Sequence, residues 1–115
     1  MKLDRRVLFP LVAGLAAACG GGGDAPAEGD LVARGKVVYQ NNCMACHAPD
    51  PNREGGLGPA VAGASLELLT ARILHAEYPP GYTPKRDSRV MVALPFLEAE
   101  LPALHAYLDA AADGS

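Results

Sequence analysis

The chain has 115 residues, which is enough for one domain. Half of its residues are hydrophobic, but only 5% are aromatic and there is no Trp, so few large side chains are available to fill a core. A formal net charge of −3 at pH 7, with no large basic patch, argues against nucleic-acid binding.

Residues 1–18 are predicted to form a signal peptide. Lys2, Arg5 and Arg6 make a positively charged start, and an apolar run follows from residue 7 to residue 18. This run is too short to span a bilayer, which needs roughly 20 residues, but it has the length of the apolar core of a signal peptide. The segment therefore predicts export.

The signal peptide ends in a sequence that resembles the lipobox of bacterial lipoproteins, Leu15 to Cys19. That resemblance implies that Cys19 receives lipid and becomes the mature N-terminus. An ordinary secretory peptide is the alternative. Cleavage would remove three basic residues and one acidic residue and so change the net charge from −3 to −5. A mildly acidic surface suits docking on basic partners.

Residues 19–29 are rich in Gly, Ala and acidic residues and have no apolar periodicity. Such a composition predicts a flexible tether, which would span roughly 17–20 Å on average. We therefore expect the lipid on Cys19 to be joined by this linker to a domain over residues 30–115.

The first helix is predicted over residues 30–40, with Asp30 as its cap. Gly35 lies in the middle of this helix, where it costs about 1 kcal/mol relative to Ala. Such a Gly is useful where another helix must pass close by. Residues 48–64 are rich in Pro and Gly and are predicted to be a loop.

The second helix is predicted from the cap Ser65 to about Ala76, before two consecutive prolines. Residues 83–96 are predicted to be a loop, and the last helix is predicted over residues 98–112. No segment alternates between apolar and polar residues as a strand would. The fold class is therefore predicted to be all-α.

One short motif, Cys43-Met44-Ala45-Cys46-His47, indicates a specific chemistry. The C-x-x-C-H pattern is the signature of c-type haem attachment. Thiols three positions apart can meet the two vinyl groups on one edge of the porphyrin, and the next residue can present an imidazole to the iron. We therefore predict that Cys43 and Cys46 form thioethers with one haem c, and that His47 is an axial ligand of its iron.

The sequence favours neither of two other interpretations of this motif. A thioredoxin-type C-x-x-C needs a βαβ context, which the sequence lacks. A zinc site needs two more ligands at suitable spacing, and only His75 and His105 remain, widely separated.

The second axial ligand is predicted to be Met91. The chain has three Met residues; Met1 would be lost on processing, and Met44 lies between the two cysteines. A thioether stabilises ferrous iron and raises its potential relative to a second imidazole. His75 is the alternative ligand.

Residues 30–112 resemble a class I cytochrome c. Gly35 and Tyr39 match the pattern of that family's first helix, where a Gly and an aromatic residue pack against the last helix. Gly58-Pro59 is similar to the family's loop after the motif. The resemblance implies three main helices around one covalently bound haem, and a Pro59 carbonyl that accepts a hydrogen bond from His47.

The expected function is the transfer of single electrons by a lipid-anchored carrier without a small-molecule substrate, which is not itself an enzyme. Its expected partners are an oxidase, a reductase or a quinol-oxidising complex, at the outer face of the bacterial cytoplasmic membrane or in the periplasm. The alternatives are an electron-entry subunit of a larger oxidoreductase and an open-site haem enzyme or gas sensor. Four further cations are interpreted as a solvated face rather than as a site: Arg72, Lys85, Arg86 and Arg89.

Overall fold

The computed structural model describes residues 26–114. The predicted signal peptide, Cys19 and most of the predicted tether lie outside these residues. The described part contains helices and no β-strand, so the predicted all-α fold class is confirmed. None of its helices is long and apolar enough to cross a membrane.

Helix α1 spans Glu28–Asn42 and extends two residues beyond the prediction at each end. The prediction that Asp30 caps it is wrong. Ala27 is the capping residue, without a side-chain hydrogen bond, and Asp30 lies in the first turn with Glu28. Both carboxylates are therefore near the positive end of the helix dipole, where negative charge is stabilising without a capping bond.

A one-turn helix, α2 (Met44–His47), contains most of the C-x-x-C-H motif. It follows α1 directly, because the Cys43 N–H still donates to the carbonyl of Tyr39 at 2.8 Å. The sequence did not predict this turn, since four residues are too few to show a helical period. Its position brings the motif to the end of the longest helix.

Helix α3 spans Leu66–His75. The predicted cap is confirmed, because the Ser65 hydroxyl accepts a hydrogen bond from the Leu68 N–H at 3.1 Å. The helix ends at Ala76, whose φ of 54° is left-handed. The two prolines follow, as the sequence predicted.

The last predicted helix begins later than expected. Residues Pro95–Glu100 form a 3₁₀ helix, and α4 spans Leu101–Asp113. Pro102 has no N–H and cannot donate to the carbonyl of Glu98, so the α-helical hydrogen-bond ladder starts only after it. The Leu101 N–H donates to Glu98 instead, with 3₁₀ spacing.

Helices α1 and α4 make the most extensive contact in the fold. A Cβ atom on Gly35 would lie 1.9 Å from the carbonyl oxygen of Ala103, so the close passage predicted for Gly35 is confirmed. The Tyr39 and Tyr107 rings meet nearby, with centroids 5.5 Å apart. The core joins all of the longer elements and consists of Val38, Tyr39, Leu69, Ile73, Leu97, Leu101, Leu104 and Leu108.

Candidate cofactor site

A cavity of about 540 Å³ lies between α2, α3, α4 and the segments that connect them. Its walls include every described residue that the sequence predicted for cofactor binding: Cys43, Cys46, His47, Pro59 and Met91. These residues are up to 48 positions apart in the chain, so the fold, not the sequence spacing, brings them together.

The other candidate ligands lie elsewhere. Met44 is exposed and does not line the cavity. His75 lines a separate shallow groove at the end of α3, and His105 lies on α4 away from both. The structure therefore gives no support to His75 as the alternative ligand, and it leaves Met91 as the thioether on the cavity wall.

The two cysteines differ in their surroundings. Cys43 is half-buried and Cys46 is exposed. Burial raises the pKa of the Cys43 thiol to about 11, and the nearby Cys46 adds to the shift. A thioredoxin-type cysteine needs the opposite, a lowered pKa that yields thiolate at neutral pH. The thioredoxin-type alternative is therefore not supported.

The ring of His47 is held by the loop that follows the motif. Its Nδ1 lies 2.8 Å from the carbonyl oxygen of Pro59. Because a carbonyl can only accept, Nδ1 carries the proton and donates, which leaves Nε2 free to bind a metal. The carbonyl also increases the basicity of the ring.

The backbone of Gly58 lies close to the same ring. A Cβ atom there would come within 2.5 Å of both Nδ1 and Cε1 of His47. A side chain at this position would displace either the ring or the loop. Gly58 lies in the loop that resembles the family's, but its sequence carries no signal for this contact.

The loop is also bonded to the motif helix. The N–H groups of Leu57 and Gly58 both donate to the carbonyl of Cys46, at 3.2 and 2.9 Å. A Cβ atom on Gly55 would lie 2.1 Å from the same carbonyl oxygen. The Gly residues of this loop thus allow its backbone to approach the motif closely.

Two of the cations predicted to form a solvated face, Lys85 and Arg86, contact this loop and also line the cavity. The Lys85 Nζ donates to the carbonyl of Ala60 at 2.8 Å. One Nη of Arg86 donates to the carbonyl of Gly55 at 2.9 Å and to the carboxylate of Glu54 at 2.8 Å. Arg86 is half-buried, so that interpretation is wrong for it, whereas Lys85 is exposed. The contacts join positions 25 to 32 residues apart and have no local sequence signal.

Arg72, Tyr78 and Tyr82 form a further group of polar side chains on the cavity wall. The Arg72 guanidinium lies 4.2 Å from the ring centroid of Tyr78, and Tyr78 stacks on Tyr82 with centroids 5.5 Å apart. Cations line the cavity here, but no Asp or Glu does. In an acidic chain, such a lining suits a large apolar group that carries negative charge.

The residues therefore fit a haem. They supply two thiols, an imidazole of fixed orientation and a thioether around an apolar space. They do not fit a zinc site: within residues 26–114, no three His, Cys, Asp or Glu side chains come together so that they could hold a metal ion.

Comparison with known protein families gave a match. The family model described as "Cytochrome C oxidase, cbb3-type, subunit III" matches residues 30–91, more than half of the chain. The match begins in α1, includes the C-x-x-C-H motif and ends at Met91. Neither the curated proteins nor the solved structures contain a significant match to the chain.

Proposed function

The chain belongs to the family of cytochrome c oxidase, cbb3-type, subunit III, and from this premise we propose that it carries single electrons through one covalently bound haem c. The observation that carries the proposal is the cavity that unites the motif with a distant thioether. Cys43, Cys46, His47 and Met91 all line it.

Each of these residues has a distinct role in the proposal. Cys43 and Cys46 tether the haem as thioethers. His47 binds iron through Nε2, the nitrogen left free by the hydrogen bond to Pro59. Met91 supplies the second axial ligand. When bound, the haem supplies a one-electron couple between ferric and ferrous iron.

The lining of the cavity supports an electron carrier over an enzyme. Its wall contains many apolar side chains, which would keep water from a bound haem. If His47 and Met91 both hold the iron, no position on it would be left for a substrate.

A second candidate is an electron-entry subunit within a larger oxidoreductase. The family description names an oxidase subunit, and this description supports the candidate. Co-purification with a detergent-extracted oxidase would support this candidate, and recovery of the free protein alone would contradict it.

The proposal includes an anchored location outside the cytoplasm. Residues 1–18 direct export, lipid on Cys19 holds the protein at a membrane surface, and residues 19–29 give the domain reach. The partners are then an oxidase, a reductase or a quinol-oxidising complex on that side of the membrane.

The test is direct detection of a covalent haem. The chain is expressed with haem-maturation machinery and denatured, and its mass is measured by mass spectrometry. We expect the mass of one haem on the wild type and none on the double variant Cys43→Ser/Cys46→Ser. Cys19→Ser is the matched control and should keep its haem, because Cys19 is not in the motif. A matured wild type without a bound tetrapyrrole would overturn the proposal.

A further inference from the structure

We infer that Arg86, assisted by Lys85, is a positioning residue that holds the loop over residues 54–60 against α2 and so fixes the ring of His47. We call this loop the histidine loop, and the two cations the clamp. The inference rests on the proposed function, since a fixed ring matters only if His47 binds iron.

Arg86 reaches three acceptors in the loop. It donates to the Glu54 carboxylate at 2.8 Å and to the Gly55 carbonyl at 2.9 Å, and a longer contact of 3.5 Å runs to the carbonyl of Gly56. A planar guanidinium can serve several acceptors at once in this way. Its side chain is 28% exposed, so most of it is covered by the protein.

Lys85 reaches the loop beyond the residues that touch His47. Its bond to the Ala60 carbonyl lies on the far side of Gly58 and Pro59 from the Arg86 contacts. The clamp therefore brackets the two residues that orient the ring. Within residues 26–114, no other donor reaches the carbonyls of Gly55, Gly56 and Ala60.

The contacts between the histidine loop and the motif transmit this restraint to His47. Leu57 and Gly58 donate to the carbonyl of Cys46, Gly58 touches the His47 ring, and Pro59 accepts from its Nδ1. If the loop moves outward, the bond between Pro59 and His47 lengthens and the space beside the ring opens. The ring then loses both its restraints.

The clamp also belongs to the segment that carries Met91. Arg86 precedes Met91 by five residues, and the far end of this segment is held where the Leu94 N–H donates to the carbonyl of Ile73 at 2.6 Å. The clamp thus ties the segment of the thioether to the loop that orients the imidazole.

The carbonyl contacts matter more than the ion pair. The Glu54 side chain is 68% exposed, and an ion pair with so exposed a partner is well screened by water. A Lys at position 86 would keep the charge but could not match the fork of the guanidinium. Arg86→Lys should therefore loosen the loop although the net charge is unchanged.

The experiment compares Arg86→Gln and Arg86→Lys with the wild type, all matured with haem. Arg89→Gln is the matched control. Arg89 lies on the same segment, and its replacement by Gln removes the same charge. Within residues 26–114, Arg89 has no hydrogen bond or ion pair. Glu54→Gln tests the ion pair alone. The readouts are amide hydrogen exchange at Leu57 and Gly58, exchange of the His47 ring N–H, and the reduction potential.

We expect exchange at both amides and at the ring N–H to rise about tenfold in Arg86→Gln, and to rise in Arg86→Lys as well. The potential of Arg86→Lys should also rise, because a weaker bond to Pro59 makes the imidazole a poorer donor to ferric iron. A tenfold change in the ferric–ferrous equilibrium corresponds to about 59 mV. Glu54→Gln and Arg89→Gln should match the wild type in exchange.

Two results would overturn the inference: exchange in Arg86→Gln equal to that in Arg89→Gln, or an Arg86→Lys variant that behaves as wild type in every readout. The second result would mean that only the charge matters. Haem content is scored separately on the wild type. An absent haem would contradict the proposed function, whereas a bound haem with unchanged exchange would contradict the clamp alone.

Discussion

At the scale of single residues, the site depends on side chains whose orientation is fixed by their contacts. His47 is the clearest case, because its Nδ1 donates to Pro59 at 2.8 Å while Gly58 lies against its ring. Met91 is half-buried and packs against the core, so its side chain is also confined. Each residue is held by a part of the chain remote from it in sequence.

Met91→Ala tests the second axial ligand. We expect the matured variant to keep its haem through Cys43 and Cys46 but to lose the methionine–iron charge-transfer band of the ferric spectrum. Its reduction potential should fall, since the thioether favours ferrous iron.

Met44→Ala is the matched control for that variant. Met44 is 39% exposed and does not line the cavity, so its loss should leave the spectrum unchanged. A band that persists in Met91→Ala would show that another residue binds the iron.

Ionisation of Tyr39 is expected to lower the free energy of unfolding at alkaline pH. Burial, as the largest cause, raises its pKa from 10.0 to about 12. Below pH 10 both the folded and the unfolded chain keep this proton. Between pH 10 and about 12 the unfolded chain loses it first, so the free energy of unfolding falls as the pH rises.

Tyr39→Phe should flatten this alkaline decline, as measured by denaturant unfolding at a series of pH values. At neutral pH the variant should lose about 0.5–1.5 kcal/mol, because the Tyr39 hydroxyl no longer donates to the carbonyl of Ala48. That bond is 2.6 Å long in the wild type. An equal alkaline decline in the variant would rule out Tyr39 as its source.

At the scale of elements, the contact between α1 and α4 organises the fold. Gly35 allows the two backbones to meet at Ala103, and the Tyr39 and Tyr107 rings pack beside this point. Arg34 also pairs with Glu100, which lowers the pKa of that carboxyl, but the Arg34 side chain is 58% exposed and the pair contributes little. Close backbone packing, and not charge, holds the two helices together.

Gly35→Ala should destabilise the protein by about 1–3 kcal/mol, since its Cβ has no room against Ala103 and the helices must separate. Gly29→Ala in the same helix is the matched control. A Cβ at Gly29 meets nothing within 4 Å, so this change should stabilise by about 0.4–1 kcal/mol. Urea unfolding measures both. A Gly35→Ala variant as stable as Gly29→Ala would contradict the close crossing.

At the scale of the whole molecule, the cavity is related to the shortage of large side chains in the composition. Two Phe, four Tyr and no Trp leave the chain short of large side chains, and a space of about 540 Å³ remains between its helices. A haem in that space would complete the core and bring the motif, α3 and Met91 into one unit. The cofactor is thus expected to contribute to stability as well as to electron transfer.

Cys19→Ser tests the proposed anchor of the whole chain. We expect the wild type in the membrane fraction and the variant in the soluble fraction, because the domain has no spanning helix within residues 26–114. Lipid chains would then supply the attachment. Subcellular fractionation with an antibody against the domain is the measurement, and a variant that stays with the membrane would contradict lipid anchoring at Cys19.

The sequence alone determined the features that depend on neighbouring residues. The spacing of Cys43, Cys46 and His47 identified the haem motif, Ser65 marked the start of α3, and Gly35 indicated a close helix crossing. The reason is that attachment spacing, capping and steric size act over a few positions. The sequence also indicated Met91, although by elimination.

Only the tertiary structure decided what depends on distant residues. It placed α2 against the loop of Gly58 and brought Met91, but not His75, to the wall of the cavity. It also assigned contacts to Lys85 and Arg86, which the sequence did not distinguish from Arg89. Such contacts arise because packing selects partners by position in space, and residues 25 to 32 positions apart carry no pattern that reveals them.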